Sequence, residues 1–166
     1  KKPILAIING DTADIVRDNN LGLCANPSNI SEISSLIENR KVTSLELSKL
    51  SLKRILSYDK YLNSFICVNE KEVLKRAKFL DHEINDGKYR GLLHGVPISI
   101  KDAFDMLGMP TTVGSKVFLN SFPSKNSTVV KKLLNAGSII LGKNETTEFC
   151  FGGPSSDSAF LPAKNP

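Results

Sequence analysis

Lys101 is the residue whose surroundings most suggest chemistry. It closes the run Val96-Pro97-Ile98-Ser99-Ile100, in which apolar and small residues alternate, and Asp102 follows it directly. A lysine at the end of such a strand either snorkels to the surface or is a buried amine whose charged form is disfavoured. In the second case the neutral amine can act as a base at neutral pH. Asp102 either pairs with it or caps the following loop. Cys150, between Phe149 and Phe151, is the other nucleophilic side chain of note. A thiol nucleophile needs a base such as histidine, and the nearest histidine in sequence is His94. A small, apolar role for Cys150 is therefore the simpler reading. Gly152-Gly153-Pro154-Ser155-Ser156 either lets a ligand approach the backbone or makes a turn. A Gly-Lys-Ser/Thr phosphate loop, a Gly-x-Ser-x-Gly elbow and a spaced His/Cys metal set are all missing from the sequence, so neither metal nor cofactor is expected.

These residues need elements to hold them. Pro3–Ile8 is an apolar run ending at Asn9-Gly10, which predicts a strand; Ala13–Asn20 predicts a helix stopped near Gly22. A boundary falls near Asn26-Pro27-Ser28-Asn29. Ile30, Ile33 and Ile37 recur at helical spacing. Thr43 and Glu46 form a capping box, followed by an apolar face of Leu45, Leu52, Ile55 and Leu56. A further helix begins after Asn69, with Val73, Leu74, Ala77, Leu80 and Ile84 inward, and ends at Asp86-Gly87. Pro97 fits only the start or edge of a strand. Residues 108–115 read as a structured loop. Ser127 caps a helix closed by Asn135-Ala136-Gly137, and Ser138–Leu141 is a short buried strand with Gly142-Lys143-Asn144 after it. Strands alternating with helices predict an α/β layered fold.

The 166 residues suffice for one domain of roughly 100–200 residues. A formal charge of +5, from 22 Lys and Arg against 17 Asp and Glu, is scattered rather than blocked, so no nucleic-acid tail is expected. No apolar run approaches the roughly 20 residues of a membrane span. Three widely spaced cysteines (Cys24, Cys67, Cys150) and the missing secretory signal point to the cytoplasm. Lys1 at one end and Pro166 at the other read as the ends of a piece of something longer.

Gly91-Leu-Leu-His94-Gly95-Val-Pro97-Ile-Ser99-Ile-Lys101-Asp102, followed by Gly108-Met-Pro-Thr111-Thr112-Val-Gly114-Ser115, resembles the amidase signature enzymes. Ala136-Gly137-Ser-Ile-Ile-Leu-Gly142-Lys143-Asn144, Glu148-Phe149 and Ser158–Pro166 extend the likeness, which covers about residues 33–166. It implies a mixed sheet flanked by helices, an incomplete amidase domain, and a Ser–cis-Ser–Lys hydrolase of small-molecule carboxamides. In that chemistry the catalytic lysine maps onto Lys101, which should be buried and neutral. The stretch with Phe151, Gly152, Gly153 and Ser155 lines the substrate pocket. The Gly/Ser-rich signature carrying the serines would begin shortly after Pro166, so the chain alone is expected to be inactive, and Lys143→Ala should be mild where Lys101→Ala abolishes turnover. The family also includes the A subunit of glutamine-dependent tRNA amidotransferases, whose partners are other subunits. A free amidase is the first expectation, with a homodimer or the other amidotransferase subunits as protein partners. Residues 1–32, with Lys2–Asp11 and Asn20-Leu-Gly22-Leu, resemble a strand–loop–helix of the C-terminal lobe of GT-B glycosyltransferases. That likeness makes them a nucleotide-sugar transferase remnant or a linker.

Overall fold

The computed structural model describes residues 4–7, 22–25, 29–152 and 158–164. Strands β1 (Ile4–Ile7) and β2 (Gly22–Ala25) pair in parallel. The expected first strand is present, while β2 lies where the sequence predicts only the stop of a helix. That helix, over 13–20, lies outside the described residues.

Helix α1 (Ile30–Glu38) starts at Asn29, whose side chain accepts from the Glu32 amide. Helix α2 (Ser44–Leu62) starts at the expected capping box: the Thr43 hydroxyl accepts from the Glu46 amide, and the Glu46 carboxylate accepts from the Thr43 amide at 2.9 Å. Helix α3 (Glu70–Asn85) adds a second cap from outside. Its Asp81 carboxylate accepts the Ser44 and Leu45 amides at 2.7 and 3.0 Å, placing a negative charge on the positive end of α2. Leu52 on α2 and Val73, Ala77 and Leu80 on α3 pack as one cluster on Ile139 and Leu141. Leu56, expected to be inward, is 73% exposed, because α2 turns only part of its apolar stripe to the sheet.

The sheet has three strands in the order β3-β5-β4. Strands β4 (Pro97–Lys101) and β5 (Ile139–Asn144) run parallel, and β3 (Phe65–Val68) pairs antiparallel with β5, so the sheet is mixed. Pro97 opens edge strand β4, where a missing amide is tolerated. β3 is an addition to the expected elements: four apolar residues without alternation carry no period. β5 runs three residues further than its turn-like Gly142-Lys143-Asn144 predicts. A Cβ on Gly142 would stand 2.2 Å from the Cys67 carbonyl oxygen, so this glycine serves close strand approach rather than a turn. Helix α4 (Thr128–Asn135), capped by Ser127, covers the other face, where Val130 packs with Ile100 and Ile140. The sheet thus lies between α2 and α3 on one side and α4 on the other, the α/β layering expected.

Candidate active site

β4 and β5 deliver a lysine each to the same end of the sheet. Alternation along β4 turns Ile98 and Ile100 toward the α4 core and leaves Ser99 and Lys101 exposed. Lys101 pairs in register with Asn144. Its side chain forms no ion pair or hydrogen bond with any described residue, and it is exposed rather than buried. The expectation of a buried amine is not met in this chain. The reason lies in the topology: Lys101 is the last residue of β4, which lies at the edge of the described sheet.

The buried lysine is instead Lys143, which is fully inaccessible, as is Asp102. The Lys143 Nζ lies 3.3 Å from Asp102 Oδ1 and donates to Thr111 Oγ1 at 2.6 Å. Asp102 Oδ2 accepts from the Thr112 amide at 3.0 Å and from the Thr112 hydroxyl. The Asp102 carbonyl accepts the Val113 amide at 3.1 Å, and the Asp102 amide donates to the Asn144 carbonyl at 3.2 Å. Of the two roles left open for Asp102, pairing with Lys101 or capping the loop, the structure realises the second. Its ion partner is one strand away, and its carboxylate organises residues 111–113. With its amine enclosed between Asp102 and Thr111 and cut off from solvent, Lys143 does not face an open site.

The anchored loop continues into the expected pocket wall. Val113 adopts φ 48°, a left-handed conformation that a β-branched residue rarely takes. Its carbonyl accepts the Phe149 amide at 2.7 Å, and Phe149 and Cys150 are left-handed as well, at φ 52° and 59°. Three such residues in contact mark locally strained backbone, of the sort that collects at functional sites. Gly114 packs so closely that a Cβ would come within 2.4 Å of the Thr146 carbonyl oxygen. Through Val113 the turn at 148–150 is tied to the segment after Lys101. Phe151 is 89% exposed and Gly152 is exposed, beside this turn; Gly153 and Ser155 lie outside the described residues. Phe118 and Phe149 meet edge to face at 6.2 Å, and both are exposed, as are Val117, Leu119 and Phe122.

Other candidates resolve as structural. Cys150 Sγ accepts from the Thr146 hydroxyl at 3.4 Å. His94 is fully buried; its Nε2 meets the Leu80 carbonyl at 3.0 Å and its Nδ1 accepts the Arg90 amide. With both ring nitrogens occupied it cannot serve Cys150 as a base. Among the described residues no group of three His, Cys, Asp or Glu could hold a metal, and no helix is long and apolar enough to cross a membrane. A cleft of about 330 Å³ between α3 and the 106–109 loop is lined by Arg76, Phe79 and Leu107 and does not include Lys101. Lys143 is the site residue that sequence reasoning misjudged. No local signal marks it: β5 is buried on successive residues from Ile139 to Lys143, without the alternation that would single out one face.

A mixed sheet between helices thus carries the exposed Lys101 at its edge, with a strained loop beside it. The Amidase family model matches residues 46–166, and the chain belongs to this family. It is 37% identical over 139 residues to the A subunit of glutamyl-tRNA(Gln) amidotransferase from Trichodesmium erythraeum, covering 84% of this chain and 29% of that protein. The mitochondrial A subunit from Ornithorhynchus anatinus is 38% identical over 135 residues, with 81% and 26% covered. The peptide amidase of Stenotrophomonas maltophilia superposes with a TM-score of 0.70 at 30% identity over 74% of this chain and 25% of that one. An amidase family protein of Bacillus anthracis gives 0.73 at 26% identity, covering 95% and 32%. The chain thus spans under a third of the length of these relatives. The glycosyltransferase likeness of residues 1–32 gains no support from the comparisons.

Proposed function

We propose that the chain is the N-terminal part of an amidase-type hydrolase that cleaves carboxamide C–N bonds, with Lys101 as the base of a Ser–cis-Ser–Lys relay. In this reading the neutral amine takes a proton, through a bridging serine, from a serine nucleophile that attacks the carbonyl carbon. Backbone amides hold the resulting oxyanion. The proton then passes to the leaving nitrogen as the C–N bond breaks, and water releases the acyl group. The observation that carries the reading is the division between the two lysines. Lys143 is committed to Asp102, whereas the Lys101 amine is uncommitted at the open end of the sheet. The exposed Phe118–Phe149 pair, tied through Val113 to the segment after Lys101, supports a partner segment that covers this end and supplies the desolvation the base requires. Phe151, Gly152, Gly153 and Ser155 then border the substrate. No cofactor enters the scheme, and the unpaired Cys67 and Cys150 fit a cytoplasmic setting.

A second reading is the A subunit of a tRNA amidotransferase, which hydrolyses glutamine and passes ammonia to partner subunits. It is favoured by relatives of that name at 37–40% identity. The test of the first reading is ammonia release from a panel of carboxamides. The 166 residues alone should release none. A chain extended through a Ser-rich segment should turn over, and Lys101→Ala within it should lower kcat by about 10²–10⁴. Turnover retained in Lys101→Ala would refute the role of Lys101. Co-purification with a B-type partner, and glutamine as the preferred amide, would select the second reading.

A further inference from the structure

Asp102 has two lysines to choose between: its neighbour in sequence, Lys101, and Lys143 on the adjoining strand. A carboxylate within about 4–6 Å of an amine holds it in its charged form, so a Lys101 paired with Asp102 would be a poor base. The structure allocates the carboxylate elsewhere. Successive residues at the end of β4 point to opposite sides, and Asp102 turns inward to the buried Lys143 ammonium while Lys101 turns outward. Other ionisable groups on the segments around this end of the sheet include Cys67 on β3, which pairs in register with Lys143 and feels the charges of both Asp102 and Lys143, Asp105 after β4, and Glu145 and Glu148 after β5. None of them forms an ion pair with Lys101. Lys143 therefore stands as the compensating charge for the buried carboxylate of Asp102, the neighbour of Lys101 in sequence.

We propose that Lys143 is a positioning residue for Lys101: by holding Asp102 in a buried ion pair, it withholds that carboxylate from the Lys101 amine and leaves the amine free to act as a base. This rests on the hydrolase reading for its purpose, but its physical content does not require turnover. Deleting the Lys143 side chain leaves the Asp102 carboxylate without its ion partner beside the Lys101 backbone. Deleting Asp102 as well removes that group.

The test is an NMR titration of the 166-residue chain carrying ¹³Cε-labelled lysine, with the Lys101 signal assigned by its loss in Lys101→Arg. In Lys143→Met the Lys101 midpoint should rise by about one pH unit, a tenfold gain in proton affinity. In Asp102→Asn/Lys143→Met, which buries no charge at either position, it should return to the wild-type value. Where Lys143→Met does not fold, Lys143→Gln, which keeps a donor for Thr111, carries the same expectation. A purely structural role for the pair would disturb both variants alike, without a rise that the second substitution reverses. A midpoint unchanged in a folded single variant, or one equally raised in the double variant, overturns the proposal. An extended protein inert toward carboxamides would instead defeat the hydrolase reading while leaving the titration result intact.

Discussion

Lys143 shows how much a single buried charge can carry. Its ammonium and the Asp102 carboxylate are both withdrawn from water, and their mutual attraction offsets that cost only while both are present. Lys143→Ala leaves Asp102 buried and uncompensated, so it should cost about 3–5 kcal/mol in urea denaturation. Lys101→Ala removes an exposed side chain and should leave stability within about 0.5 kcal/mol. Equal midpoints for the two variants would contradict this contrast. Cys67 responds to the same burial in its own way. Desolvation pushes its thiol above the usual range, although a backbone hydrogen bond at Lys143 opposes the rise. Cys67 in the native chain should therefore react with iodoacetamide at pH 7.5 more slowly than after unfolding. A faster native rate would be inconsistent with that shift.

Among the elements, α2 depends most visibly on its ends. The Thr43–Glu46 box and the Asp81 carboxylate together satisfy amides that the first turn leaves without helical partners. Thr43→Ala should cost about 1 kcal/mol by thermal denaturation, and an unchanged Tm would show that Asp81 alone suffices. The 108–115 loop depends on close approach. Gly114 sits at φ 70°, with the Thr146 carbonyl occupying the space of a Cβ. Gly114→Ala thus meets both an unfavourable conformation and rigid backbone, and should destabilise by about 1–3 kcal/mol. The same loop passes its geometry through Val113 to the 148–150 turn, so this substitution should also disturb the chemical shifts of Phe149 and Cys150.

For the molecule as a whole, an exposed ion pair sets one part of the response to acid. Arg90 binds Glu83 through two hydrogen bonds of 2.6 and 2.7 Å, tying α3 to the segment that leads into β4. The hydrogen bond from Arg90 holds the Glu83 carboxyl below its ordinary range. A lowered folded-state value means the contribution is complete above the unfolded carboxylate range, near pH 4.3, and is lost as pH falls through the lowered value. With the pair partly solvated, it is worth at most about 1 kcal/mol. The stability gap between wild type and Glu83→Gln should therefore be present at pH 7 and close below pH 4; a gap that widens in acid would reverse the sign.

The residues alone specified the capped helices, the position of β4, the α/β class and the amidase likeness, because caps, periodicity and turn chemistry are local and show in short windows. Thr43 with Glu46, Ser127, and the 3.6-residue spacing from Val73 to Leu80 are legible for that reason. Lys143 was not legible. Its burial depends on β3 closing over Gly142 from far upstream in the chain, and on Asp102 arriving from another strand. The exposure of Lys101 likewise follows from β4 lying at the edge of the sheet, an order of strands that no local pattern encodes. Which of two lysines is paired and buried is a question of long-range neighbours, and only the packed arrangement brings those neighbours together.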